Sequence, residues 1–107
     1  MTGGALIARS KAIRIGERCM LAPNVTIFDS DFHISWPPEK RHNTWETDID
    51  ADVTLERNVW VGTGAIILKG VTIGENSVIA AGSVVVHDIP PNCVAGGNPA
   101  RVIKSLA

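Results

Sequence analysis

His33 is the residue best suited to proton transfer, because histidine changes its protonation state near neutral pH. It follows two acidic residues, Asp29 and Asp31, in the segment FDSDFH. Either carboxylate could hold the imidazole in one tautomer and stabilise its charged form. Asp side chains also bond nearby amides in turns, so a structural role for both stays open. His42, which lies among charged residues, and His87, which precedes Asp-Ile-Pro-Pro, are predicted to be surface residues.

Two tryptophans, Trp36 and Trp45, follow His33 in the same segment. Indole rings stack well on sugar rings and other flat apolar surfaces, so both could wall a pocket for an acceptor. The alternative is that they pack the segment onto a neighbouring subunit. We therefore take Trp36, together with Asp29, as the candidate substrate-binding residues.

A six-residue period organises the chain around these residues. From Ile49 onward the blocks are IDADVT, LERNVW, VGTGAI, ILKGVT, IGENSV, IAAGSV and VVHDIP. Each block opens with Ile, Leu or Val, and its fifth residue is small or β-branched. Five further blocks, GGALIA, RSKAIR, IGERCM, LAPNVT and IFDSDF, extend the period over residues 3–32, with the weakest agreement at the start. This period fits neither a helix nor a plain strand alternation, and it predicts short strands separated by corners.

Stacking of these blocks predicts a single all-β domain over residues 1–107. Five blocks at 3–32 and seven at 49–90 make a three-sided prism of about four coils, with the leading aliphatic side chains inside. Gly, Asn and Asp between the blocks tolerate the tight corners that such a prism needs. The period fails over residues 33–48, which we predict to be a loop with His33 at its mouth. Residues 91–107 are predicted to be a C-terminal tail.

Two pairs of small residues stand eighteen positions apart, which is one full coil of the predicted prism. Gly62 and Thr63 should therefore stack on Ala80 and Ala81. Their corners would form a ledge along which a narrow ligand can lie. The geometry of a tight corner accounts for the same small residues without any ligand.

Arg101 and Lys104 follow the turn sequence GGNPA near the end of the chain. Two cations three residues apart, placed after such a turn, can share one polyphosphate. A solvated turn with incidental charges is the alternative.

The composition argues against several classes of function. Ten basic and eleven acidic residues give a net charge of −1, which provides no footprint for nucleic acid or an anionic membrane. No apolar stretch is long enough for a membrane span, and no secretory signal is visible. The two cysteines, Cys19 and Cys93, fit neither a disulfide framework nor a metal-binding spacing. We therefore expect a reducing, cytoplasmic setting.

Two segments carry a resemblance to a known family. Residues 58–103, NVWVGTGAIILKGVTIGENSVIAAGSVVVHDIPPNCVAGGNPARVI, and residues 21–33, LAPNVTIFDSDFH, resemble the hexapeptide-repeat acyltransferases. The sequence of these segments is similar to that of galactoside, maltose and capsular-polysaccharide O-acetyltransferases, and the resemblance covers nearly the whole chain. It implies a left-handed parallel β-helix. It also implies transfer of an acetyl group from acetyl-coenzyme A to a sugar hydroxyl or similar acceptor, with His33 as general base. From its place beside His33 we take Asp31 as the second candidate catalytic residue, and we expect no metal.

The resemblance further implies how the co-substrate is held. Family residues similar to Thr63 and Ala81 contact the pantetheine arm, and those similar to Arg101 and Lys104 meet the nucleotide phosphates. Similar enzymes form homotrimers whose active sites lie between two subunits, and a domain this small favours such assembly.

Two other functions remain open from the sequence. The γ-class carbonic anhydrases have a similar β-helix and bind zinc with three histidines shared across subunits. This chain also has three histidines, but it lacks the closely spaced pair of that class. A non-catalytic trimerisation or binding module is the second, because members of the family usually carry additional N-terminal segments that contribute to the acceptor site. The sequence does not identify the acceptor.

Overall fold

The computed structural model describes residues 3–42 and 49–107, in which short strands turn around a three-sided prism. The elements are β1 Ala5–Ile7, β2 Ile13–Ile15, β3 Met20–Leu21, β4 Thr26–Phe28, a 3₁₀ helix Pro38–Lys40, β5 Val53–Leu55, β6 Trp60–Val61, β7 Ile66–Ile67, β8 Thr72–Ile73, β9 Val78–Ile79, β10 Val84–Val85, β11 Cys93–Gly97 and β12 Ala100–Ser105. In this part of the chain no helix is long and apolar enough to cross a membrane.

The strands form three sheets, one on each side of the prism. The first sheet has the order β1-β4-β7-β10, the second β2-β5-β8, and the third β3-β6-β9-β11-β12. All pairings except that of β11 with β12 are parallel, and Ile89 adds a parallel bridge to Ile73 at the edge of the second sheet. Strands β1 to β10, the Ile89 bridge and β11 form twelve sides, and each coil of the prism has three sides. The predicted four coils are therefore confirmed.

The leading aliphatic residues of the blocks stack in columns inside the prism, as predicted. Ile27 pairs with Ile67, which pairs with Val85, and all three side chains are fully buried. The third sheet repeats this pattern with Leu21, Val61 and Ile79 in register. Burial of such aliphatic columns is the main favourable contribution to the stability of this fold. Residues of the first coil, such as Leu6 and Ile15, are partly exposed because no coil covers them in this structure.

The corners use residues that tolerate a left-handed backbone. Asn58, Asn76 and Asn92 have φ of 59°, 64° and 57° at one edge of the prism. Their side-chain amides form a ladder, with Asn58 Nδ2 donating to Asn76 Oδ1 (3.0 Å) and Asn76 Nδ2 donating to Asn92 Oδ1 (2.8 Å). The ladder ties three consecutive coils together along that edge.

The C-terminal region differs from the predicted tail. β11 pairs in parallel with β9 and supplies the last side of the fourth coil, and β12 folds back antiparallel to β11. Cys93 and Ala95 point into the core. The hexapeptide pattern stops at residue 90, so the period gave no sign of this strand; its small buried side chains take the place of the leading aliphatic residue. Both cysteines are free thiols.

Candidate functional site

A cavity of about 390 Å³ opens where the loop leaves the prism. It is lined by Asp31, His33, Ile34, Ser35, Trp36, Ile49 and Lys69. The structure thus brings together three of the residues that the sequence singled out, Asp31, His33 and Trp36. Its volume lies in the range of about 300–1,000 Å³ that small-molecule sites occupy. Trp45 lies outside the described residues.

The His33 imidazole is fixed by a main-chain oxygen. Its Nδ1 lies 2.7 Å from the carbonyl oxygen of Arg41, eight residues further along the loop. A carbonyl oxygen only accepts hydrogen bonds, so Nδ1 must carry the proton and donate it. In the neutral ring the lone pair is therefore on Nε2, which is the atom that can take up a proton. The orienting group is a backbone carbonyl, where the sequence predicted a carboxylate.

Asp31 acts on His33 through the backbone in this structure. The His33 N–H donates to the Asp31 carbonyl oxygen at 2.8 Å. The Asp31 carboxylate pairs instead with the Lys69 ammonium group, with 3.0 Å between Oδ2 and Nζ. Half of the Asp31 side chain is exposed and it lines the cavity. A catalytic role for Asp31 stays a prediction, but the predicted orientation of the imidazole by this carboxylate is not what the geometry shows.

Asp29 is engaged differently from the substrate contact that the sequence predicted. The residue is fully buried, and its carboxylate accepts the backbone N–H groups of Arg9 (2.7 Å), Ser10 (3.1 Å) and Lys11 (2.8 Å). Burial alone raises the pKa of Asp29, but these three donors outweigh burial and hold the pKa below its ordinary value. Of the two alternatives for Asp29, the structure shows the bonding of turn amides, which joins the first coil to the start of the loop.

We expect Asp29→Ala to lower the free energy of unfolding by about 2–4 kcal/mol at pH 7, because three backbone N–H groups lose a fully buried acceptor. The folded-state pKa of Asp29 is lowered, so the unfolded chain takes up this proton first as the pH falls. The stabilisation is therefore complete above about pH 4 and is lost as the pH falls further. Urea unfolding of wild type and Asp29→Ala between pH 7 and pH 3 measures this loss. The difference between their free energies of unfolding should become smaller toward pH 3. The control Glu39→Ala, at an exposed loop residue, should keep the free energy of unfolding within about 0.5 kcal/mol of wild type. Equal stability of Asp29→Ala and wild type at pH 7 would contradict the assignment.

A second buried carboxylate, Asp50, lies beneath the loop and was missed by the sequence analysis. The Ser10 hydroxyl donates to its Oδ2, and Arg9 Nη1 stands 4.0 Å from its Oδ1. The same Arg9 nitrogen donates to Ser30 Oγ (3.3 Å) and to the Phe32 carbonyl oxygen (3.2 Å). Burial raises the pKa of Asp50, but the hydroxyl donors and the charges of nearby cations outweigh it and lower the pKa. This network anchors both ends of the loop to the first coil.

The predicted ledge of small residues is present as a stack of corners. The Gly62 N–H donates to the Ile79 carbonyl (2.7 Å), and the Gly82 N–H donates to the Thr63 carbonyl (2.8 Å). A Cβ on Gly62 would lie 2.6 Å from the backbone nitrogen of Ala81, so only glycine permits this approach. The stacking is confirmed, and the binding of a ligand to it stays a prediction.

The structure extends this ledge by one coil. A Cβ on Gly96 would lie 2.9 Å from the Ala80 Cβ, so Gly96 stacks next to Ala80. Arg101 is the register partner of Gly96 on β12, and Lys104 is the partner of Val94. Both cations are exposed. Arg101 therefore stands beside the end of the ledge, which the spacing of the sequence alone did not reveal.

The loop and the ledge lie on different edges of the prism. The loop connects β4 of the first sheet to β5 of the second, whereas the ledge lies at the corners that follow the third sheet and lead into the first. Both edges flank the first sheet. His33 and Thr63 of one chain therefore face different corners of the prism.

Lys69, which lines the cavity, was also not identified from the sequence. Ala51, which follows the loop, lies eighteen residues or one coil before Lys69. The Gly70 N–H donates to the Ala51 carbonyl at 3.4 Å. Counting back one coil would have placed Lys69 beside the end of the loop. Within residues 3–42 and 49–107 no three His, Cys, Asp or Glu side chains group closely enough to hold a metal ion.

Comparison with known proteins places the chain in a family. The family model described as bacterial transferase hexapeptide (six repeats) matches residues 52–87. The galactoside O-acetyltransferase of Escherichia coli (strain K12) is 43% identical over 94 residues, which are 88% of this chain and 44% of that protein. The crystal structure of a maltose O-acetyltransferase from Clostridium difficile 630 is 36% identical, with a TM-score of 0.77, and the match covers 94% of this chain and 69% of that one. A galactoside acetyltransferase in complex with coenzyme A is 41% identical, with a TM-score of 0.77 over 89% of this chain and 46% of that one.

These matches extend over almost the whole chain, although the chain spans less than half the length of the Escherichia coli relative. The predicted fold class, a left-handed parallel β-helix with one long loop, is confirmed. The chain belongs to the hexapeptide-repeat acyltransferase family.

Proposed function

We propose that the chain is the core of an acetyl-coenzyme A-dependent O-acetyltransferase that acts on a hydroxyl of a sugar or similar small acceptor. The observation that carries this proposal is the bond from His33 Nδ1 to the Arg41 carbonyl, which leaves Nε2 as a base at the wall of a cavity of about 390 Å³. A fixed tautomer beside a pocket of suitable size is what general-base catalysis requires.

His33 would act first as a base and then as an acid. Nε2 takes the proton of the acceptor hydroxyl as the hydroxyl oxygen attacks the thioester carbonyl. The resulting tetrahedral adduct collapses with cleavage of the carbon–sulfur bond, and the departing thiolate recovers the proton from the imidazolium. The Arg41 carbonyl accepts the hydrogen bond from Nδ1–H throughout and stabilises the charged ring. Transfer is direct, so no nucleophile of the protein is required.

The acceptor would lie in the cavity beside Trp36. Its indole is 77% exposed and offers a flat apolar surface on which a sugar ring can stack. Ser35 and Asp31 line the same cavity and provide polar atoms for hydroxyl groups. The names of two related proteins, a galactoside and a maltose O-acetyltransferase, support a sugar as the acceptor.

Acetyl-coenzyme A would lie along the ledge, with the pantetheine arm against Thr63 and Ala81. The ledge offers small residues and backbone groups on successive coils, which suit a narrow ligand. Arg101 and Lys104 on β12 would meet the phosphates. The related galactoside acetyltransferase that was solved with coenzyme A, at 41% identity, supports this co-substrate.

We place the active protein in a cytoplasmic homotrimer. His33 and the ledge lie on different edges of one prism, so a site that uses both can be completed by a neighbouring copy. The third sheet carries an outward column of apolar side chains that another copy would cover, formed by Met20, Trp60, Val78 and Val94. The two free thiols fit a reducing compartment.

Release of the free coenzyme A thiol, followed with a panel of sugars and amines, tests the proposed activity. We expect thiol release that depends on a hydroxyl-bearing acceptor, together with an acetylated product in the mass spectrum. Binding of coenzyme A should be detectable by calorimetry. Absence of coenzyme A binding at millimolar concentration would refute the proposal and favour the non-catalytic module.

A further inference from the structure

The two ends of the loop meet beside Lys69. Ala51, just after the loop, donates its N–H to the carbonyl of Asp29, just before it, at 2.9 Å. The next coil continues this contact, because the Gly70 N–H bonds the Ala51 carbonyl at 3.4 Å. Lys69 immediately precedes Gly70, so its side chain starts at the point where the chain leaves the prism and returns to it.

The Lys69 ammonium group binds both ends of the loop at once. Its Nζ donates to the Ile49 carbonyl oxygen at 2.6 Å and lies 3.0 Å from Asp31 Oδ2. Asp31 lies just before the loop of residues 33–48 and Ile49 just after it, and the two are separated by eighteen positions in the sequence. The lysine thus closes the loop at its base from a different coil.

Asp31 transmits this closure to His33. The His33 N–H donates to the Asp31 carbonyl at 2.8 Å. The backbone of the histidine is therefore hydrogen-bonded directly to the residue that Lys69 binds. Lys69, Asp31 and His33 line the same cavity. A displacement of Asp31 would therefore move the imidazole relative to the acceptor.

The contacts of Lys69 suit positioning better than bulk stabilisation. Its partner Asp31 is half exposed, and ion pairs with exposed groups contribute little to the free energy of folding. Reaction rates respond far more steeply, because a displacement of about 1 Å at a reacting group can cost roughly 100-fold in rate. A contact of small energetic value can therefore have a large effect on turnover.

We propose that Lys69 is the positioning residue of this site: its ammonium group joins Asp31 to Ile49 and so holds His33 at the wall of the cavity. This inference rests on the proposed function for its effect on turnover, and on the loop geometry alone for its effect on structure. In this proposal Lys69 acts through Asp31 and contacts neither the transferred proton nor the acetyl group.

Lys69→Met tests this role because it keeps an apolar stem of similar length and removes the ammonium group. We expect kcat for acetyl transfer to fall roughly 10- to 100-fold, with KM for acetyl-coenzyme A unchanged. Lys69→Arg, which retains a cation with several donors, should recover most of the lost rate. Lys40→Met, at an exposed lysine of the same loop, is the matched control and should leave kcat unchanged.

Hydrogen–deuterium exchange provides a reading that is independent of activity. In Lys69→Met the amides of residues 30–42 should exchange faster, while those of β6 to β10 keep the wild-type rate. If the wild-type protein transfers no acetyl group, the proposed function fails, and this exchange pattern alone decides the role of Lys69. Wild-type exchange in the loop of Lys69→Met would overturn the inference. Faster exchange throughout the prism would also overturn it, because Lys69 would then be a general structural residue. Failure of Lys69→Arg to recover activity while loop exchange is normal would do so as well, since the ammonium group would then contact the acceptor.

Discussion

Replacement of His33 by alanine should lower kcat for acetyl transfer by roughly 10²- to 10⁴-fold, the range that loss of a general base produces. The physical reason is the fixed tautomer. Nδ1 donates to the Arg41 carbonyl, so Nε2 is the only ring atom that can take the proton from the hydroxyl group of the substrate. The measurement is steady-state release of coenzyme A thiol at saturating acetyl-coenzyme A. Affinity for coenzyme A should be unchanged, because the ledge lies on another edge of the prism.

His42 provides the matched control for this experiment. It is an exposed histidine in the same loop, nine residues after His33, and we give it no role in proton transfer. His42→Ala should keep kcat within about twofold of wild type, as expected for a surface substitution without a mechanism. If His33→Ala turned over at the wild-type rate, His33 would not be the base and the cavity would lose its assigned chemistry.

The interior of the prism was predictable because its contacts repeat. Each coil touches only its neighbours, so a residue such as Ile67 must meet the residues one coil before and after it. The six-residue period therefore specified which side chains are inside, and the structure buries Ile67, Val61 and Ile79 completely. The same spacing predicted that Gly62 and Thr63 stack on Ala80 and Ala81.

The loop was not predictable in the same way, because an insertion of unknown path removes the register. The hydrogen bond between Asp29 and Ala51 joins residues on the two sides of the loop, which the period cannot relate. This junction brings Lys69 and Asp50 close to the start of the loop. The sequence left the role of Asp29 open between an imidazole partner and a turn residue. In the structure its carboxylate accepts the amides of Arg9, Ser10 and Lys11, which lie about one coil before it.

The orienting partner of His33 illustrates a more general limit. Acidic side chains are visible as residue types, so the sequence predicted a carboxylate as the partner of the imidazole. The group that bonds Nδ1 is the backbone carbonyl of Arg41, which every residue possesses. Sequence patterns therefore identified the base but not the atom that fixes its tautomer, since that depends only on the path of the chain.

Mixing two inactive variants should restore activity if the site is shared between subunits. One variant, His33→Ala, lacks the base, and the other, Ala81→Trp, fills the ledge with an indole at an exposed corner. We expect each alone to be nearly inactive. Trimers formed from equal amounts should regain about one quarter of wild-type activity, because random assortment gives that fraction of interfaces an intact base and an intact ledge.

The restored activity depends on the separation of the two edges in one prism. His33 projects from the edge between the first and second sheets, while Ala81 lies at the edge between the third and the first. In the proposed shared site, an intact His33 from one copy meets an intact ledge from another, which requires an assembly. A mixture of His33→Ala with the double variant His33→Ala and Ala81→Trp contains no intact base and should stay inactive. Co-expressed single variants that form mixed trimers yet show no restored turnover would mean that each chain builds its site alone, and the two edges would then have to be bridged by the loop of the same subunit.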